Sequence, residues 1–101
     1  MESKSLVASE IVEATLTGGP GDRAVLTMSA QQPQLDWNLH GHANGSTQVV
    51  KEELGVMTTV FVFTPIAQAD WFLLLRNAST NPLVIDVKIE LYGDITWNGW
   101  E

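Results

Sequence analysis

A chain of 101 residues, 45% of them hydrophobic and spread along its whole length, is long enough for one domain with a modest core. Its 12 acidic residues against 5 basic ones leave a net charge of −7, a surface that repels phosphate backbones and argues against nucleic acid as a partner. The absence of cysteine excludes disulfides, thiolate metal sites and cysteine nucleophiles, and no apolar run approaches the roughly 20 residues of a membrane span, so no membrane insertion is expected.

In chain order, Met1 to Ser9 lacks a basic start followed by a long apolar segment. Turn signals follow at Gly18 to Asp22, Gln31 to Pro33, Ala43 to Ser46, Gly55, Pro65 to Asp70, Asn77 to Pro82 and Gly93-Asp94. Between them lie short segments rich in Val, Ile, Thr, Phe and Trp, residues that suit a pleated, half-buried surface.

Within Leu35 to His42, strict alternation sends Leu35, Trp37 and Leu39 to one face and Asp36, Asn38, His40 and His42 to the other. Gln48 to Leu54 carries the helix-compatible run Lys51-Glu52-Glu53-Leu54, yet it is too short for an uncapped helix and reads as strand or turn. Val60 to Phe63 and Trp71 to Leu75 are apolar on both faces, the pattern of strands in the middle of a sheet.

Leu83 to Tyr92 is the clearest strand, with Ile85, Val87, Ile89 and Leu91 inward and Asp86, Lys88 and Glu90 outward. The connections are short and supply no crossover helix, so pairing is antiparallel. The expected fold is an all-β antiparallel sandwich of about seven strands, a single domain over residues 1–101. Periodicity alone leaves a closed barrel open.

Chemistry-bearing residues are few. His40 and His42, two apart on one strand face, are candidate ligands for a copper or zinc ion, with Asp36 as the nearest carboxylate and Asn38, Met28 or Met57 as further donors. The alternative is a pair of solvent-facing histidines, with Gly41 introducing a bulge that separates the rings.

Trp97-Asn98-Gly99-Trp100 places two indoles around a turn-forming Asn-Gly. Exposed, Trp97 and Trp100 form a ligand-binding platform suited to a sugar ring; folded back, they cover the sandwich, and burial favours the second. Asn44-Gly45-Ser46 and Asn77-Ala78-Ser79 match the glycosylation pattern and are read as turn chemistry. Asp70 and Arg76 flank the Trp71 to Leu75 strand and are close enough in sequence to pair. No nucleophile-elbow or related catalytic signature is present, so no enzymatic activity is expected.

Phe61-Val62-Phe63-Thr64-Pro65, Asp70 to Ser79 and Val84 to Leu91 occur in an order that resembles the GOLD domain of the p24 family. The run Asp36-Trp37-Asn38-Leu39-His40-Gly41-His42 is similar to the Trp-Asp-Ile-His-x-His run of small bacterial envelope proteins with p24-like sandwiches. The resemblance covers roughly half the chain and implies a GOLD-like or jelly-roll-like sandwich, secreted or periplasmic, that binds other molecules and does no chemistry.

The cysteine pair usual in eukaryotic p24 proteins is absent, and with it the support for a cargo-receptor role. The sequence thus points to a non-enzymatic binding or protein-interaction module. A metal-binding protein and a carbohydrate binder are the alternatives, and self-association through a sheet edge is open to any of them.

Overall fold

The computed structural model describes residues 2–43 and 46–101 and contains nine strands and no helix among them. In chain order they are β1 (Glu2–Leu6), β2 (Ile11–Gly18), β3 (Arg23–Ala30), β4 (Leu35–Ala43), β5 (Ser46–Val56), β6 (Thr58–Phe63), β7 (Ala69–Asn77), β8 (Leu83–Tyr92) and β9 (Thr96–Trp100). They form two sheets of order β1-β8-β3-β6 and β5-β4-β7-β2-β9, with every pairing antiparallel. Among the described residues each sheet keeps two free edges, so the strands form a sandwich and not a closed barrel.

Nine strands replace the seven expected because two boundaries carry misleading signals. β1 and β2 are separated by Val7 to Glu10, which has neither Gly nor Pro. There Ser9 takes a φ of 64°, Glu10 N–H donates to Val7 O (3.1 Å), and Val7 N–H donates to Glu10 Oε1 (2.9 Å). At the other end, Asn98-Gly99 forms a bulge within a strand instead of a tight turn. Gly99 has a φ of 95°, and the β2–β9 register slips between Thr15 and Leu16. Gln48 to Leu54 lies entirely within β5.

Alternation along the strands builds the core. Leu35, Trp37 and Leu39 from β4 and Leu73 and Leu75 from β7 meet Leu26 and Met28 from β3 and Ile85 and Val87 from β8, all essentially inaccessible to water. Each such side chain contributes about 1.5–3 kcal/mol by leaving water. Trp37 lies 5.6 Å from Phe61, and Phe63 lies 5.3 Å from Trp71, so aromatic contacts join the sheets on the β6 side. Gly41 admits the close approach of Trp71, because a Cβ there would lie 2.7 Å from the indole Cζ3.

β7 is the middle strand of its sheet, as its two-sided apolar pattern implies. β6 departs from that expectation. Among the described residues it is an edge strand paired only to β3, and Val60 and Val62 point to water, 62% and 52% exposed. An apolar run reads the same whether its second face is covered by protein or left bare.

Candidate functional site

The outer face of the five-stranded sheet gathers most of the polar side chains singled out in the sequence. The register sets them in rows across the strands. Val49, His40, Phe72 and Thr15 form one row; Glu52, Asn38, Leu74 and Glu13 the next; and Asp36, Arg76 and Ile11 a third. Residues directly opposite in antiparallel strands share a face, so local alternation in four strands becomes one continuous surface.

His40 and His42 share that face, with perpendicular rings 5.2 Å apart; the β4–β5 bulge between Leu39 and His40 does not separate them. His40 points outward yet is only 7% exposed. Phe72 stacks on it at 5.5 Å and meets His42 edge-on at 5.1 Å. The Nδ1–H of His40 donates to Asn38 Oδ1 (2.7 Å), and Nε2 stands 3.5 Å from Glu13 Oε2. Burial pushes the His40 pKa below its ordinary 6.5, against an upward pull from Glu13 and with a smaller downward push from His42. The ring is therefore neutral at neutral pH.

This geometry does not assemble the metal set expected of His40, His42 and Asp36. Asp36 lies four residues from His40, roughly 13 Å along the strand. Its Oδ1 accepts the Gly55 N–H (2.8 Å). Met28 is buried between the sheets, on the far side of β4, and Met57 sits at the β5–β6 corner. Among the described residues, no three His, Cys, Asp or Glu side chains stand close enough to hold an ion.

Beside the aromatic group lies a bowl of about 220 Å³ lined by Ile11, Leu54 and Leu74 with Asp36, Asn38, Glu52 and Arg76 around them. Asn38 Oδ1 is held by His40, which leaves the amide Nδ2–H₂ as a donor, while Asp36 Oδ2 and Glu52 are acceptors. Arg76 has no ion pair among the described residues, so the guanidinium is a free donor at the rim; Asp70 sits at the other end of β7 and accepts from Thr17 Oγ1 (2.7 Å). Glu13, Phe72 and Leu74 were not singled out in the sequence as site residues. Only the register across β4, β7 and β2 brings them beside His40.

Trp97 and Trp100 lie on the inner side. Trp97 pairs with Leu16 and Trp100 with Ala14, both core-facing, and the bulge at Asn98-Gly99 lets residues three apart share one face. Their rings meet at 5.4 Å, packed against the core, with Lys4 Nζ 5.3 Å from the Trp100 ring. Both indoles are partly buried at the β9 edge of the sandwich, and their rings stand at 83° to each other and so do not form one flat platform.

Asn77 is fully buried. Its Nδ2 donates to Leu6 O, Val7 O and Asn81 O, and its Oδ1 accepts from Ser79 N–H and Oγ–H. Its amide is thus committed to the turn. Asn44 and Gly45 of the other triplet lie outside the described residues.

No family model matches the chain, and no curated protein matches it. Among solved structures it is similar to an active site mutant of a family two carbohydrate esterase from Clostridium thermocellum in complex with celluohexase, at a TM-score of 0.48 and 14% identity. That match covers 94% of this chain and 28% of the other, so the chain spans little more than a quarter of its length.

Proposed function

We propose that this β-sandwich is a non-enzymatic binding module whose outer five-stranded face takes a polyhydroxylated ligand of the saccharide class. The bowl bounded by Asp36, Asn38, Glu52 and Arg76 around Ile11, Leu54 and Leu74 carries the reading. A sugar hydroxyl both donates and accepts, and this rim offers both within one concavity, while the apolar floor suits the C–H face of a ring. Phe72 and His42, next along the sheet, extend the surface with ring faces and edges for a neighbouring unit. The bowl is smaller than the ~300–1,000 Å³ of sites that enclose drug-sized ligands, so it takes one unit of a chain lying across the strands.

The test is a titration of ¹⁵N-labelled protein with neutral oligosaccharides of differing linkage. Shifts confined to β4, the Glu52 to Leu54 part of β5, β7 and the start of β2 are expected, and Arg76→Ala should weaken binding by at least tenfold while leaving the fold intact. Shifts absent for every glycan, or clustered at Trp97 and Trp100, would overturn the reading.

A second reading, a copper or zinc ion held by His40 and His42 alone, draws on the 5.2 Å ring separation, with no third protein ligand to complete the set among the described residues. Micromolar metal that leaves the imidazole NMR signals unmoved would remove it.

A further inference from the structure

Three of the four sheet edges carry devices that discourage strand addition. β5 has Lys51, Glu52 and Glu53 and two register irregularities. β1 is five residues long and carries Glu2 and Lys4. β9 is equally short and is broken by its bulge. Charges, bulges and shortness are the usual defences of an edge. β6, one residue longer than β1 and β9, has neither a charge of its own nor a bulge. Its six residues, Thr-Thr-Val-Phe-Val-Phe, are uncharged, regular in register and strongly β-forming, and the uncharged stretch runs from Leu54 to Ala69. Among the described residues only β3 pairs with it, so its far side presents unpaired N–H and C=O groups.

We propose that β6 is a self-association edge, at which a second copy of this chain pairs antiparallel and joins the two four-stranded sheets into one. The charge distribution favours a copy over other occupants. A chain of net charge −7 repels itself over most of its surface, whereas β6 carries no carboxylate of its own, and the one beside it, Glu53, is held by the Thr59 hydroxyl and the Trp37 indole N–H. A two-fold axis requires a self-complementary patch, and residues directly opposite must share a sheet face. Centring the axis on Phe61 satisfies both conditions. Val60 then faces Val62 of the second copy on the outer side, and Phe61 faces its own counterpart on the core side.

In this register five residues of each β6, Thr59 to Phe63, pair, a small interface, so the dimer is weak and its population depends on concentration. Sedimentation equilibrium of the wild-type protein should show a mass rising from 11.1 kDa toward twice that value as concentration increases. The double variants Val60→Lys with Val62→Lys, and Val60→Glu with Val62→Glu, set like charges opposite each other in this register. Each alone should stay monomeric with an unchanged circular-dichroism spectrum, and an equimolar mixture should associate again.

Amide exchange on the wild-type chain supplies a readout independent of the variants, since alternate β6 amides should exchange more slowly at high concentration than at low. A wild-type mass fixed at the monomer value up to about 1 mM, variants that associate as the wild type does, a mixture that stays monomeric, or β6 exchange insensitive to concentration would each overturn the proposal.

Discussion

His40 shows how a polar residue on an outer sheet face becomes part of a packed cluster. Its neutral form is favoured because Phe72 and its neighbours exclude water from the ring. The unfolded chain then takes up a proton at a higher pH than the folded one, so stability is level above about pH 6.5 and declines as pH falls through the lowered folded value. Urea denaturation across pH 5 to 8 should show that decline, and His40→Phe should flatten it. Phe72→Ala should cost roughly 1–2 kcal/mol and move the His40 pKa back toward its ordinary value, seen by NMR titration of the ring. Asn77→Ala removes a buried amide whose two N–H groups are shared among the Leu6, Val7 and Asn81 carbonyls, and a loss of roughly 3 kcal/mol is expected in the same denaturation assay.

Among the elements, β9 has the least support from its own sequence and the most from its packing. Trp97 and Trp100 hold it against the core, although Trp97 Nε1 is buried there without a partner among the described residues. Deleting Trp97 to Glu101 should therefore cost about 3 kcal/mol and lower the melting temperature by roughly 15 °C, read by circular dichroism. β4, β7 and β8 were legible as strands because alternation, or an apolar run bounded by turns, is a local signal. The position of β6 was not legible. Whether the outer faces of Val60 and Val62 are covered depends on which strand comes next, and no residue within the run encodes that.

For the whole molecule, topology dictates the kinetics. β1 pairs with β8, and β2 with β7 and β9, so most of the sheet forms only after residues far apart in sequence meet. Closing such loops costs entropy before any contact compensates, and refolding is expected in milliseconds to seconds and not microseconds. Stopped-flow tryptophan fluorescence checks this directly. Asp22 links the two turns at one end of the sandwich, its carboxylate accepting the Gly19 and Asp94 N–H groups, and those bonds hold its pKa below the usual carboxylate value. The contact joins the β2–β3 turn to the β8–β9 turn, although 72 residues separate its two partners.

The amino-acid order by itself determined the all-β class, the antiparallel pairing and the split of β4 into an apolar face and a His-bearing face. These follow from a two-residue period and short connections, which are local properties. Only the tertiary structure decided which strands lie at the edges, that Trp97 and Trp100 turn inward, and that Glu13, Phe72 and Arg76 join His40 and Asp36 on one surface. Those outcomes depend on cross-strand register between segments distant in the chain. Register is selected by how the buried faces fit together, and no single segment carries that information.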